Sequence, residues 1–362
     1  MNQSPMADRH LALNAKMADF GGWLMPIEYP QTGAIAEYTA VRQQVGIFDV
    51  SHLGKISVIG DGSVDFINKM VTNDLTKITA GQAQYTLLCN ENGGVVDDLI
   101  IYRNSDSDLF LIPNASNTTS VFEILQSNCP AGIEVTNLHK DFAVLAVQGP
   151  DSAKVLGEVG VVAELDYMSF VHAKIDNCPV ILCRTGYTGE FGFEIIPAWK
   201  DAQQVWDKLV SAISELSGAI CGLGARDLLR TEMGYPLHGH ELSLTITPVE
   251  AGASWAVGWG KAEFRGRNVL LKQKESGSKL KLKAIVATDR GIPRKDMQVK
   301  DLNGKLIGVV TSGTFSPSLK VGIALALIDP HFSVGDVVAI DIRGRESSAT
   351  ITSLPLVPSR VR

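Results

Sequence analysis

The first 150 residues alternate between segments with a helical spacing of apolar residues and segments with a strand spacing. Apolar residues three or four apart predict helices over Ile35–Gln44 and Val64–Met70. Apolar runs bounded by Gly and Asn predict strands over Ala83–Cys89 and Val95–Tyr102, joined by a turn over Asn90–Gly94. The same patterns predict strands over Ile47–Val50, Lys55–Ile59 and Asp108–Pro113, and a helix over Thr118–Ser127. This β-α-β-β order is typical of a compact α+β unit.

The middle of the chain continues the mixed pattern, whereas the C-terminal part contains only strand patterns. A strand over Ala143–Gln148 precedes a helix over Ser152–Val159, and Val180–Arg184 with Gly192–Ile196 predicts a hairpin. Two more helices are predicted over Asp201–Leu216 and Ala225–Met233. The C-terminal strand candidates are Ala284–Thr288, Leu306–Thr311, Gly322–Leu327, Val337–Ile342 and Ser347–Thr352. They favour a small β-barrel or sandwich, with a linker over Lys272–Lys279 before it.

Length and charge narrow the class of protein. A chain of 362 residues implies two or three domains, since a domain usually contains about 100–200 residues. The net charge of −6 argues against a general nucleic-acid binder, which needs clustered positive charge. Apolar runs such as Ala324–Ile328 are far shorter than the ~20 residues of a membrane span, and Asp8, Arg9 and Lys16 interrupt any secretory signal. We therefore expect a cytoplasmic protein without a membrane partner.

Five cysteines are an odd number, and no two form a CxxC pair. This spacing argues against a disulfide framework and against a structural zinc site, so we expect reduced and mostly buried thiols. His238 and His240 flank Gly239, but no third ligand has a supporting spacing, so we interpret them as loop histidines without a metal. A lone His52 beside a strand is more often structural than catalytic.

Two adjacent acids, Asp97 and Asp98, interrupt an apolar strand. Side chains alternate along a strand, so the two carboxylates are predicted to point to opposite faces. One of them can then face a cavity, where desolvation or a hydrogen bond adapts it to hold an amine. The pattern is equally compatible with a structural role, in which the acids pair with Arg103 or a backbone donor.

A glycine-rich segment, Arg184–Glu194, contains Tyr187 and ends at an acid. Its glycines allow the backbone to approach a flat ligand, and Glu194 can accept two hydrogen bonds from an amidine-like ring edge. A plain hairpin turn is the alternative.

The segment Gly222–Asp227 has Asp where a dinucleotide fingerprint needs its third glycine, so we reject a Rossmann interpretation. Arg226 at this helix start suits a ligand carboxylate, or alternatively pairs with an acid such as Glu232.

Several ordered motifs together resemble the aminomethyltransferase family, the T-protein of the glycine cleavage system. The resemblance covers nearly the whole chain, and no single motif carries it alone. The motifs are Phe20–Pro26, Gly46–His52, Gly93–Tyr102, Val147–Pro150, Arg184–Glu194, Gly222–Asp227 and Thr311–Pro317.

The resemblance implies an α+β protein of three domains, a cloverleaf around a central folate cavity with a C-terminal β-barrel or sandwich domain. It implies a discontinuous α+β domain of residues 1–54 plus 141–270, an inserted ferredoxin-like α+β domain of residues 55–140, and a C-terminal β domain of residues 280–362. The implied reaction releases ammonia from the aminomethyl-lipoyl arm of the H-protein. The one-carbon unit passes to tetrahydrofolate, which forms methylene-tetrahydrofolate and leaves dihydrolipoyl H-protein.

Within the family motif the second acid of the pair is catalytic, which here is Asp98. Its implied role is to orient the attacking amine and to stabilise the iminium-like charge that develops as the carbon–sulfur bond breaks. An arginine near the C-terminus also belongs to the family's folate site, and Arg362 or Arg360 is the matching residue. By resemblance the folate-binding residues are Tyr85, Val96, Tyr102, Asn114, Tyr167, Tyr187, Glu194, Arg226 and Arg362.

Two positions depart from the family pattern: His238 stands where many relatives have Tyr, and Leu53 replaces a frequent Met. The enzymatic alternative is a folate-dependent demethylase acting on a small methylated donor. The second alternative is a non-catalytic folate-binding accessory protein, whose usual Lys-Gly-Cys-Tyr signature is Arg184–Tyr187 here. We expect the lipoylated H-protein and tetrahydrofolate as partners, no metal, no flavin and no nucleic acid, and a monomeric enzyme. A docking surface for an acidic partner is one interpretation of a group of basic residues, and an ordinary solvated surface is the slightly favoured alternative. These residues are Lys261, Arg265, Arg267, Lys272 and Lys274.

Overall fold

The computed structural model describes residues 1–162 and 164–362 of the chain. Most helices begin and end within two residues of their predicted bounds, because their apolar faces have clear helical spacing. The predicted linker over Lys272–Lys279 is wrong in its first half, since Leu270 anchors a helix there by burying its side chain. The helices are α1 (Ala7–Ala12), α2 (Gly33–Gln43), α3 (Ser63–Met70), α4 (Thr118–Ser127), α5 (Ser152–Glu158), α6 (Ala202–Glu215), α7 (Leu223–Met233) and α8 (Arg267–Ser276).

The strands form three open sheets and one closed barrel within the described residues. Their order along the chain is mixed with the helices up to α8 and then purely β, as the hydrophobic pattern predicts. The strands are β1 (Asn2–Gln3), β2 (Lys16–Phe20), β3 (Trp23–Glu28), β4 (Gly46–Asp49), β5 (Ile56–Ile59), β6 (Gln82–Cys89), β7 (Val95–Arg103), β8 (Asp108–Ile112), β9 (Glu134–Asn137), β10 (Leu145–Gln148), β11 (Phe170–Ile175), β12 (Cys178–Cys183), β13 (Gly192–Pro197), β14 (Ala219–Cys221), β15 (Lys281–Ala287), β16 (Gln298–Lys300), β17 (Leu306–Ser316), β18 (Val321–Ile328), β19 (Val337–Ile342) and β20 (Arg345–Thr352).

A six-stranded sheet with the order β11-β12-β13-β10-β4-β14 is built from two separated stretches of the chain. Strand β4 comes before β5–β9 in sequence and pairs antiparallel with β10, which comes after them. Helices α5 and α6 pack on one face, where Trp206 and Phe193 are buried with Ile47. The chain therefore leaves this sheet after β4 and returns to it at β10.

The segment between those strands forms a five-stranded sheet of order β6-β7-β8-β5-β9, with α3 and α4 packed against it. Its own core contains Phe66, Ile101 and Val121. The opposite face packs on the six-stranded sheet, where the ring of Tyr102 meets the edge of Phe170 with centroids 5.3 Å apart. This α+β arrangement agrees with the predicted inserted unit, while the exact domain boundaries stay a prediction.

The C-terminal strands close into a six-stranded barrel of order β15-β18-β17-β16-β19-β20. Alternate residues such as Ile285, Ala324 and Ile340 fill its interior. The sequence pattern left open a barrel or a sandwich, and the structure shows the barrel. Strand β16 was missed, since its three residues include only one buried apolar side chain, Val299.

Buried hydrogen bonds between charged side chains of α7 and serines of the barrel join the barrel to the rest of the protein. Glu232 of α7 accepts hydrogen bonds from Arg42 at 2.7 Å and from Ser316 of the barrel at 2.5 Å. Arg230, two residues before Glu232 on α7, donates to Ser312 of the barrel at 2.9 Å. Both serines lie on β17, so α7 is held between the six-stranded sheet and the barrel.

Candidate active site

Asp97 and Asp98 lie in the middle of β7, and Asn114 follows the end of the neighbouring strand β8. The side-chain nitrogen of Asn114 is 2.9 Å from Oδ1 of Asp98 and 2.9 Å from Oδ1 of Asp97. Alternation along the strand predicts carboxylates on opposite faces. Asn114 touches both of them because it lies beyond the end of β8, where its side chain is no longer held to one face of the sheet.

Asp98 is partly accessible and Asp97 is fully buried. The Tyr85 hydroxyl donates to Oδ2 of Asp98 at 3.0 Å. Burial raises the pKa of Asp98 above its ordinary value, while Tyr85, the charge of His238 and Asn114 each lower it in part. Asp98 is therefore a carboxylate with a raised pKa and defined donors, which suits proton transfer and charge stabilisation.

Asp97 has a structural role. Its Oδ2 accepts from the backbone N–H of Asn114 at 3.0 Å, and its Oδ1 accepts from the Asn117 amide at 2.7 Å. Burial, with a smaller contribution from Asp98, raises its pKa well above the ordinary value. The alternative pairing with Arg103 is wrong, because the Arg103 guanidinium binds Asp106 at 2.7 Å.

An aromatic pair lies next to Asp98. The Tyr85 ring stacks on Trp255 with centroids 5.2 Å apart and an angle of 24° between the rings. Trp255 is 69% exposed, which is unusual for so large an apolar side chain. Trp255 was not predicted as a site residue, since a lone Trp between predicted elements carries no sequence pattern.

Glu194 lies on β13 of the six-stranded sheet. Its Oε2 accepts from the Thr185 hydroxyl at 2.5 Å, and the same hydroxyl lies 3.3 Å from the Tyr102 hydroxyl. Thr185 belongs to the predicted glycine-rich segment and was not named as a site residue. The predicted hairpin is present, since β12 and β13 pair antiparallel, and Thr185 additionally fixes the Glu194 carboxylate.

Arg226 lies in the first half of α7, and its guanidinium carbon is 4.7 Å from the centre of the Tyr187 ring. Its Nη1 is buried and has no hydrogen-bond partner within the described residues. Burial lowers the pKa of Arg226, with Glu194 and Tyr187 opposing. The alternative pairing with Glu232 is wrong, because Glu232 already binds Arg42. An unpaired buried guanidinium nitrogen is costly, so this atom fits a ligand acceptor.

Tyr187 lies between Arg226 and the segment that follows α7. Its hydroxyl donates to the backbone oxygen of Pro236, and its ring lies against Tyr235 with centroids 5.6 Å apart. Burial raises the pKa of Tyr187, and the charge of Asp98 adds to the shift, as does that of Glu241. The Tyr187 hydroxyl is therefore within electrostatic reach of both Arg226 and Asp98.

The C-terminal arginines separate into two environments. Arg362 places its guanidinium 5.6 Å from the centre of the Tyr167 ring, whereas Arg360 binds Glu190 at 2.8 Å. Arg362 is thus the better match to a ligand-binding arginine. Val96 is buried in the core of the five-stranded sheet, apart from the polar site residues.

Other candidate residues have structural partners. His238 donates from Nε2 to the backbone oxygen of Val95 at 3.0 Å, and His240 lies 3.0 Å from the backbone oxygen of Thr311. Among the described residues, no group of three or more His, Cys, Asp or Glu side chains is arranged to hold a metal ion. Lys261 is buried and donates to three backbone oxygens, including that of Val71 at 2.6 Å, so it does not belong to a docking surface.

Comparison with known proteins decides the family. Residues 6–261 match the GCVT N-terminal domain, and residues 281–358 match the glycine cleavage T-protein C-terminal barrel domain. The chain belongs to the glycine cleavage T-protein family. The aminomethyltransferase from Parafrankia sp. (strain EAN1pec) is 53% identical over 100% of this chain and 99% of its own length. The aminomethyltransferase from Mycobacterium avium (strain 104) is 51% identical over 99% of this chain and 97% of its own length.

A solved structure agrees with the aminomethyltransferase fold. The glycine cleavage system aminomethyltransferase T from Bartonella henselae is 33% identical, covers 99% of each chain and superposes with a TM-score of 0.93. The predicted family, the mixed α and β fold with a C-terminal barrel, and the transferase activity are confirmed. In the described part of the chain, no helix is long and apolar enough to cross a membrane.

Proposed function

We propose that this T-protein family member takes the aminomethyl group from the lipoyl arm of H-protein, releases ammonia and transfers the one-carbon unit to tetrahydrofolate. The observation that carries the proposal is the environment of Asp98. A carboxylate with two directed donors, from Tyr85 and Asn114, is the group best placed to act on a substrate amine.

Tetrahydrofolate would supply the amine nitrogens that receive the carbon. The residues that fit it are site residues whose donors, acceptors or ring faces suit a folate. Glu194 offers a fixed carboxylate to a donor edge, Tyr187 offers a ring, and the unpartnered Nη1 of Arg226 offers a donor. Tyr85, Tyr167 and Arg362 complete the proposed set, and Tyr102 supports it through Thr185.

Asp98 acts by charge and position. Its negative charge lowers the energy of positive charge that develops on the transferred carbon when the carbon–sulfur bond breaks. Because Tyr85 and Asn114 hold both carboxylate oxygens, the carboxylate needs little reorientation during the reaction. Oδ2 is also able to take a proton from an attacking amine, since burial has raised the pKa of Asp98.

Different segments of the chain contribute different residues to the proposed site. We propose that residues 55–140 supply the catalytic acid and its donors, while residues 1–54 with 141–270 supply Glu194, Tyr187 and Arg226. Residues 280–362 then supply the C-terminal arginine. Of the candidate docking residues, Lys272 and Lys274 are exposed on α8 and remain suitable for an acidic partner.

Ammonia release from aminomethylated H-protein tests this function. We expect the purified chain to release ammonia at a rate that tetrahydrofolate strongly stimulates, and to form methylene-tetrahydrofolate in equal amount. A control with unlipoylated H-protein should give no release. Folate binding without any release would contradict the proposed transfer and favour the accessory role. Release of a one-carbon unit only from small methylated donors would favour the demethylase.

A further inference from the structure

Three of the proposed folate residues come from separate segments of the chain. Tyr167 precedes β11, Glu194 lies on β13, and Arg362 ends the C-terminal tail (residues 358–362). Residues from separate segments bind one ligand well only when their relative positions are fixed before binding. Arg184, which directly follows β12, contacts all three segments.

The backbone of Arg184 holds the segment that contains Tyr167. The N–H of Met168 donates to the backbone oxygen of Arg184 at 3.0 Å, and the N–H of Arg184 donates to the oxygen of Ser169 at 2.8 Å. The guanidinium carbon of Arg184 lies 5.9 Å from the centre of the Tyr167 ring. The two residues that follow Tyr167 are therefore fixed to Arg184.

The side chain of Arg184 joins the other two segments. Its Nη1 donates at 3.0 Å to the backbone oxygen of Gly192, which lies two residues before Glu194 on β13. Its Nη2 donates to the backbone oxygen of Val361, the residue before Arg362. Arg184 is only 3% exposed, so both hydrogen bonds of this charged group are shielded from water.

The Phe191 ring supports the guanidinium. The guanidinium carbon of Arg184 lies 3.7 Å from the centre of that ring, which is close enough for direct contact. Its Nε is buried and has no hydrogen-bond partner within the described residues, so the ring contact and the two Nη bonds hold the group. A lysine ammonium has no planar fork and does not make the same set of contacts. Arginine is therefore the residue that fits this position.

The C-terminal tail is anchored at two neighbouring residues. Arg360 binds Glu190 at 2.8 Å. The bond from Arg184 holds the next residue, so it acts directly before Arg362. Arg362 in turn places its guanidinium carbon 5.6 Å from the centre of the Tyr167 ring. Arg184 thus binds the chain beside both members of the Arg362–Tyr167 pair.

We propose that Arg184 is a positioning residue of the proposed folate site, which sets Arg362 against Tyr167 for ligand binding. The inference rests on the proposed function, because that function makes Arg362 and Tyr167 folate residues. Arg184 acts through the C-terminal tail, so its loss weakens folate binding by way of Arg362. The chemistry at Asp98 is left intact once folate is saturating.

Two variants of Arg184 test this role. Arg184→Met keeps an unbranched side chain beside Phe191 and removes both Nη donors, whereas Arg184→Lys restores a single charged donor. Arg345→Met is the matched control, because Arg345 is an exposed arginine on β20 of the barrel. Circular dichroism and thermal unfolding establish that each variant is folded.

Folate binding is measured by calorimetry with 5-formyl-tetrahydrofolate as the probe. We expect Arg184→Met to raise the dissociation constant about tenfold, since it removes a charged donor from the tail. Arg184→Lys should recover part of that loss, and Arg345→Met should bind like the wild type. The kcat of ammonia release at saturating folate should stay within about threefold, because a positioning residue for binding changes affinity rather than turnover.

A double-mutant cycle with Arg362→Ala separates positioning from general packing. If Arg184 acts through Arg362, adding Arg184→Met to Arg362→Ala weakens binding by no more than about twofold. A packing defect instead weakens binding by the same factor with or without Arg362, and this additive result would overturn the inference. If Arg184→Met does not fold, Arg184→Lys replaces it in the same cycle.

Hydrogen exchange of the tail gives a readout that needs no ligand. The backbone N–H of Arg360 donates to the oxygen of Gly189 at 2.7 Å, so its exchange rate reports opening of the tail. We expect this amide to exchange about tenfold faster in Arg184→Met and at the wild-type rate in Arg345→Met.

The outcomes distinguish this inference from the proposed function. Unchanged folate binding or unchanged tail exchange in Arg184→Met would show that Arg184 does not position Arg362, while ammonia release by the wild type keeps the proposed function. If the wild type binds no folate probe and releases no ammonia, the proposed function fails and the inference fails with it.

Discussion

The side-chain amide of Asn114 lies 2.9 Å from the Asp98 carboxylate, and the same nitrogen reaches Asp97. One neutral donor therefore separates two neighbouring acids in a buried site. Both acids have a raised pKa, and Asn114 lowers each of them in part. The hydrogen bond from Asn114 thus favours the ionised form of Asp98.

Replacing Asn114 with Leu should shift the pH dependence of the reaction. Removal of the amide raises the pKa of Asp98 further, so more of Asp98 is protonated at a given pH. We expect the acid limb of kcat/KM to move to higher pH, with about a tenfold loss at pH 7. The pH–rate profile checks this. The exposed Asn128→Leu is the control, and an acid limb unchanged in Asn114→Leu would show that Asp98 does not need to be ionised.

Tyr85→Phe removes the hydroxyl that donates to Oδ2 of Asp98 and keeps the ring that stacks on Trp255. A hydrogen bond to a charged group contributes about 1.5–3 kcal/mol, so turnover should fall at least tenfold. Folate affinity should change much less, because the ring is retained. Steady-state kinetics with a parallel binding titration measure both, and a loss confined to folate affinity would assign Tyr85 to binding alone.

Glu194→Ala should affect binding rather than turnover. The carboxylate, fixed by Thr185, offers an acceptor to the ligand but does not contact Asp98. We expect the folate dissociation constant to rise about tenfold or more, with kcat at saturating folate nearly preserved. Glu158→Ala at the exposed end of α5 is the matched control. Unaltered folate affinity would remove Glu194 from the site.

Lys55→Met tests a buried amine that hydrogen-bonds the turn after β4. The Lys55 ammonium nitrogen donates to the backbone oxygen of Ser51 at 2.7 Å, and burial lowers its pKa from 10.5 to about 7. Between pH 7 and 10.5 the Lys55 amine is protonated in the unfolded chain and neutral in the folded chain. Because the unfolded chain binds the extra proton, the destabilisation of the fold by Lys55 decreases as the pH rises through this range.

We therefore expect the free energy of unfolding of the wild type to rise relative to Lys55→Met as pH increases from 7 to about 10, by a few kcal/mol. Denaturant unfolding of both proteins across this range provides the measurement. The exposed Lys272→Met should show no such trend. A difference between wild type and Lys55→Met that is flat with pH would mean that Lys55 is not buried as a neutral amine.

Much of the fold was predictable because its elements have strong local patterns. Helix α4 matches its predicted bounds, Thr118–Ser127, and the strands of the barrel appear at nearly the predicted places. The N-terminal strands β1–β3 were missed, because they are short and held by pairing with one another, and β1 and β2 bury no side chain that would mark a pattern. Helix α8 was not predicted, and its second half falls in the predicted linker Lys272–Lys279, since its mostly polar sequence buries only Leu270.

The sequence predicted several residues of the candidate site but not the contacts between them. Paired acids and a glycine-rich segment ending in Glu194 are visible in the sequence, and family resemblance supplied the roles. Contacts between separate segments were not visible: Trp255 on Tyr85, and Asn117 on Asp97. Each joins residues that only tertiary packing brings together, so spacing along the chain carries no signal for them.

The most direct measurement compares Asp98→Asn with the wild type in single-turnover ammonia release and in folate binding. The substitution removes the charge and keeps the shape, so we expect release to fall about a hundredfold or more while folate affinity stays within about threefold. Asp65→Asn, exposed on α3, should behave like the wild type. Equal losses in turnover and affinity, or turnover that is unchanged, would contradict the role of Asp98.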